Sequence, residues 1–113
     1  GAAVELLGGA PRQSAQAVAI TLKNMLGLVC DPVAGLVEVP CVKRNAAGAA
    51  QCFVAVDLAL AGVESVIPPD EVIDAMADIG RNMNERYRET AQGGLAATPT
   101  GKRLAKLVWK EER

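Results

Sequence analysis

Two cysteines, Cys30 and Cys41, frame the ten residues Asp31-Pro32-Val33-Ala34-Gly35-Leu36-Val37-Glu38-Val39-Pro40, and Arg44 and Asn45 follow closely behind them. Prolines at 32 and 40 and glycine at 35 break any helix across this stretch, so a loop can fold back and bring both sulfurs to one object. Spacing alone leaves three readings open: two thiols packed as small hydrophobes, a redox disulfide, or thiolate ligands of a metal or cluster. Asp31 and Glu38 border the loop as candidate bases, or as carboxylates that cap a turn or satisfy buried amides. Arg44 has the fork geometry to hold a substrate carboxylate, with Asn45 bonding its amino or carboxylate group. The same pair also suits a structural tie between loop and helix.

Histidine is absent. Within this chain that excludes Ser-His-Asp and Cys-His catalysis and any zinc site built on imidazole, leaving Cys, Asp and Glu as metal ligands. The odd cysteine count, without a disulfide-dense pattern, predicts a reducing, cytoplasmic setting. Cys52 reads as core packing. On a helix shared with Cys41, eleven residues at about 1.5 Å each separate the two by about 16 Å, too far for one cluster.

The elements that must position these groups read as helices. The start, Gly1 to Gly9, reads as the last turns of a helix closed by glycine, which predicts a fragment of a longer chain. Pro11 suits a first helical turn, and Val18, Leu22, Met25 and Leu26 form a stripe that ends at Gly27. Leu28 to Val42 is apolar and proline-broken, hence an ordered and buried loop. Lys43 to Ala61 is apolar on most faces and is predicted to be a central helix packed on several sides. Pro68-Pro69-Asp70-Glu71 opens another helix, with acids where the dipole favours them and a face of Val72, Ile73, Met76 and Ile79. Thr98 or Thr100 can cap a last helix whose buried side is Leu104, Leu107 and Val108.

Length and composition set the frame. The chain has 113 residues, half of them apolar and only 3% aromatic, so one small domain or one piece of a larger one, with an alanine, valine, leucine and isoleucine core, is predicted. The fold class is all-α, four to five helices around a buried cysteine-bearing loop. A net charge of −1 gives no basic surface for nucleic acid and no polybasic membrane patch. No apolar run reaches the roughly 18 residues a membrane span requires.

Taken whole, Gly27 to Asn45 resembles the cysteine-bearing signature of iron–sulfur L-serine dehydratases (L-serine ammonia-lyases), in the C-terminal part of the alpha chain. The resemblance extends through Val4-Glu5-Leu6-Leu7-Gly8-Gly9, Arg88-Glu89-Thr90 and Gly93-Gly94-Leu95-Ala96-Ala97-Thr98-Pro99-Thr100-Gly101. It implies that residues 1–113 are the C-terminal part of the alpha-chain catalytic domain of a lyase converting L-serine to pyruvate and ammonia. The family does so without pyridoxal phosphate, on a 4Fe-4S cluster held by three cysteines, in amino-acid degradation feeding gluconeogenesis. Cys30 and Cys41 match two of those cysteines. The third is expected upstream of Gly1, which makes this chain alone inactive. Where relatives often carry histidine, this chain has Gln16, and no catalytic role is assigned there. The implied partners are the rest of the alpha chain, a beta chain or domain, L-serine, and further copies in a homo-oligomer. The alternatives are a related cluster enzyme acting on L-cysteine or L-threonine, or a non-catalytic helical interaction module.

Overall fold

Pro11, Pro69 and Pro99 each stand at a helix start, where a missing N–H costs nothing because first-turn amides have no intrahelical acceptor. The computed structural model describes residues 1–111. In chain order it contains α1 (Ala2–Leu6), α2 (Pro11–Lys23), α3 (Cys41–Leu60), α4 (Pro69–Asn82) and α5 (Pro99–Glu111). Short 3₁₀ turns lie at Val33–Gly35, Glu85–Tyr87 and Gly94–Ala97. The described residues hold no strand beyond one isolated bridge, so the class is all-α as expected. No described helix is long and apolar enough to cross a membrane.

The chain forms two compact units. One comprises Gly1–Gly27 and Ala47–Asn82; the other comprises Leu28–Ala46 and the chain from Met83 onward. Helix α3 gives its first turns to the second unit and the remainder to the first.

In the first unit the core is Val4, Ala17, Val56 and Ala59, with Ala3 and Leu60 packed against it. Alanines at these contacts let helix backbones approach closely, the arrangement an aromatic-poor composition favours. Helix α2 buries Ala17, Ala19 and Ile20, whereas Val18, Leu22, Met25 and Leu26 are only half-buried. The larger side chains had predicted a different face, and the helix stops at Lys23 rather than running to Gly27. Gln13 closes two helix ends at once. Its Oε1 accepts from the Ala10 N–H at 2.9 Å, and its Nε2 donates to the carbonyls of Ala59 and Leu60 at 3.2 and 3.4 Å. Those α3 carbonyls have no helical donor of their own. Helix α2 also holds the connection to α4, through the Gln16 side chain on Ser65 N–H, Lys23 Nζ on Ser65 O at 3.2 Å and the Arg12–Glu64 ion pair.

The second unit surrounds the cysteine loop with α5 and the 3₁₀ turns. Thr98 caps α5: its Oγ1 accepts from the Gly101 N–H at 3.1 Å and donates to Leu95 O at 2.7 Å.

Apolar burial departs from expectation in three places. In the cysteine loop only Val33 among the named apolar residues is buried, while Leu28, Leu36, Val37 (61% exposed) and Val39 face solvent. Helix α3, predicted to be packed all round, leaves Val42, Phe53 (64% exposed) and Val54 uncovered. On α5, Leu104 and Leu107 are exposed rather than buried, and on α4 so are Ile73 and Ile79. Hydropathy marks surface that favours leaving water, but covering it requires a neighbouring element, and no described residue provides one at these faces.

Candidate functional site

Cys30 is held by its backbone. Its N–H donates to Tyr87 O at 2.8 Å and its carbonyl accepts from Glu89 N–H at 2.8 Å, a parallel bridge onto the segment around Arg88. Cys41 opens α3. The turn before it is drawn together by Val33 N–H on Val39 O at 2.9 Å, and α3 is then entered through Val42 N–H on Val37 O and Arg44 N–H on Pro40 O, both 3.1 Å. Both cysteines are reduced, half-buried and in the same unit.

Arg44 ties the two cysteines together. From the first turns of α3 its Nη1 donates to Val29 O at 2.9 Å and to Asp31 Oδ1 at 2.6 Å, so one side chain grips the residues on either side of Cys30. Asp31 is 2% exposed and its other oxygen accepts from the Leu95 N–H at 2.6 Å. Burial pushes the Asp31 carboxyl up, but the Leu95 N–H and the Arg44 guanidinium outweigh it and hold the group below the usual range. A carboxylate with both oxygens engaged and its ionised form favoured is a poor proton acceptor, so Asp31 acts here as a structural joint. Glu38 is exposed.

Gly94 makes this joint possible. It sits at φ +55°, and a Cβ there would lie 2.7 Å from Asp31 Cβ and 2.8 Å from its Cγ. Only glycine lets the Gly93-Gly94-Leu95 backbone come close enough to donate to the carboxylate. Three non-glycine residues of this unit, Ala34, Glu89 and Ala91, also carry positive φ. Such strained backbone persists only where the surroundings over-determine it, and it collects at functional sites.

Electrostatics favour the neutral thiol at Cys30. Burial contributes most to raising its pKa, followed by the charges of Glu89, Cys41 and Asp31, with Arg44 opposing. Cys41 is thus close enough to act electrostatically on the Cys30 thiol. The structure brings Cys30, Cys41, Asp31 and Arg44 together. Asn45 is exposed beside them on α3. Among the described residues no group of three or more His, Cys, Asp or Glu is arranged to hold a metal. Cys52 belongs to the other unit and is exposed, at the edge of a cavity lined by Val18, Leu22 and Val56, rather than in the core as expected. Gln16 accepts from a loop amide, a structural task.

Sequence reading missed the Tyr87–Glu89 clamp on Cys30 and the Leu95 N–H contact on Asp31, since both join positions remote in the chain. It also missed a cluster of cations, Arg86, Lys102 and Lys106, beside Trp109, for which the i, i+4, i+7 spacing along α5 was the available signal.

Comparison with known proteins is direct. The family model described as serine dehydratase alpha chain matches residues 1–96. The chain is 68% identical over 108 residues to the probable L-serine dehydratase, alpha chain, of Bacillus subtilis (strain 168), covering 96% of this chain and 36% of that protein. It is 53% identical over 110 residues to the L-serine dehydratase, alpha chain, of Peptoniphilus asaccharolyticus, covering 97% and 38%. With L-serine dehydratase TdcG of Escherichia coli (strain K12) it shares 45% identity over 93 residues, covering 81% and 20%. The chain therefore spans a minor part of the length of these relatives. No solved structure matches. On the family match over most of its length and on these identities, the chain belongs to the serine dehydratase alpha chain family.

Proposed function

We propose that this chain is the cysteine-bearing, C-terminal part of the alpha chain of an iron–sulfur L-serine dehydratase, a lyase releasing pyruvate and ammonia from L-serine in the cytoplasm. The observation that carries the reading is the joined placement of Cys30 and Cys41, clamped by Arg44 and the Tyr87–Glu89 segment. The fit to a 4Fe-4S cluster is that of a partial donor set: two free, half-buried thiols at the ends of one loop, with a third cysteine supplied from outside this chain. When bound, such a cluster supplies an open iron that acts as a Lewis acid toward the substrate hydroxyl.

The chain's own residues hold and orient. Cys30 and Cys41 supply thiolates from opposite ends of one loop, and Asp31 fixes Arg44 so that their separation is set. Arg44 commits Nη1 to the loop; its remaining guanidinium nitrogens make no hydrogen bond among the described residues, which leaves them to take a serine carboxylate, with Asn45 next to it on α3. The base that removes the Cα proton, the third thiolate, the rest of the alpha chain and the beta chain or domain lie outside this chain. Association of whole enzymes into oligomers belongs to the same proposal.

The test is to prepare the complete protein anaerobically, load it with iron and sulfide, and follow pyruvate from L-serine, with L-threonine and L-cysteine as parallel substrates. Turnover of serine without pyridoxal phosphate, lost on exposure to air, is the expected result. Preference for threonine or cysteine would reassign the substrate, and activity without iron would reject the cluster.

A further inference from the structure

The second unit contains a cavity of about 680 Å³ that the lyase reading does not use, lined by α5 and the neighbouring turns. Its volume is that of a small-molecule site. The charged side chains lining it are Arg86, Lys102 and Lys106, with no carboxylate among them. None of the three forms an ion pair with another described residue. Three cations around one space repel one another, and in a chain whose net charge is −1 this is a local excess that a multivalent anion relieves.

The geometry of α5 orders what such an anion must look like. Lys102 and Lys106 are one turn apart and Trp109 follows on the same face, so charge and aromatic ring are spread over about 10 Å along the axis. Arg86 adds its charge to the cavity wall, and the indole of Trp109, 52% exposed, offers a planar surface at the far end. Small residues such as Gly35, Ala96 and Ala105 leave the volume between them open. A single carboxylate satisfies one of three cations, and serine carries no net charge at neutral pH. A ligand with several negative charges at one end and a flat ring at the other satisfies all four side chains. We propose that this cavity binds a mononucleotide, with the phosphates on Lys102, Lys106 and Arg86 and the base stacked on Trp109.

Trp109 is the single tryptophan, so its fluorescence reports on the cavity alone. The experiment titrates the full 113-residue chain with ATP, exciting beyond nucleotide absorption. The expected result is saturable quenching, displaced by inorganic tripolyphosphate, whereas adenosine alone gives no saturation at the same concentrations. Lys102→Glu and Lys106→Glu each weaken binding at least about tenfold, the scale of one charge-assisted contact. Arg103→Glu, on the same helix but outside the lining, stays within about twofold. If a charge reversal unfolds the chain by circular dichroism, Lys106→Gln replaces it with the same criterion. Absence of saturable quenching overturns the site, and so does an Arg103→Glu loss equal to that of Lys106→Glu, which would mean diffuse helix charge. These outcomes are independent of lyase activity.

Discussion

Asp31 is the residue on which the cysteine loop is assembled, because it receives α3 through Arg44 and the Gly94-Leu95 turn through a backbone amide. Asp31→Ala leaves the part-buried Leu95 N–H without its acceptor and takes one of two partners from Arg44 Nη1, a loss of about 1 to 3 kcal/mol in unfolding free energy. Asp31→Asn keeps an acceptor for Leu95 and costs less. Urea unfolding of the three proteins side by side checks the order. At Gly94 a methyl group collides with that carboxylate, so Gly94→Ala destabilises by more than the strain of a left-handed alanine alone, about 1 to 2 kcal/mol; the same unfolding measurement applies. These dependencies were hidden in the sequence. Cys30, Cys41 and Arg44 were legible as candidates from type and spacing, but contacts from residue 31 to residue 95 obey no local pattern, and the exposure of Cys52 depended on which helix face finds a neighbour.

At the scale of elements, local chemistry was well marked. Pro11 and Pro69 open α2 and α4, Thr98 caps α5, and the acids at 70 and 71 sit in the first turn of α4. Thr98→Ala therefore lowers stability by about 1 kcal/mol, readable as a shift of the thermal midpoint. The burial faces were less legible, since a stripe of large residues shows where a helix is apolar and not where it is touched. In α2 the touching face is Ala17, Ala19 and Ile20. Ala19, wholly buried, is a position where added volume must displace its neighbours, so Ala19→Leu costs about 1 to 3 kcal/mol by overpacking despite its greater hydrophobicity. A stabilised Ala19→Leu protein in the same thermal assay would contradict this packing.

For the molecule as a whole, the all-α class followed from helical periodicity and the scarcity of aromatic residues, whereas the expected all-round packing of α3 did not materialise. Val42, Phe53 and Val54, with Leu28 and Val37 in the loop, leave large apolar side chains in water. Surface of that kind is covered in an assembled enzyme or by association. The isolated chain is accordingly expected to self-associate with concentration in sedimentation velocity and to bind a hydrophobic dye; a dye-free monomer at high concentration would contradict this.

The central claim is that Cys30 and Cys41 are cluster thiolates and Cys52 is not. The most direct measurement is bound iron and sulfide, after anaerobic reconstitution, in the complete protein and in its Cys30→Ser, Cys41→Ser and Cys52→Ala variants. The account predicts about four irons per protein for the parent and for Cys52→Ala, and loss of stable cluster in both serine variants, because serine is a hard, poorly ionised ligand. A full complement of iron in either serine variant, or its loss in Cys52→Ala alone, would contradict it.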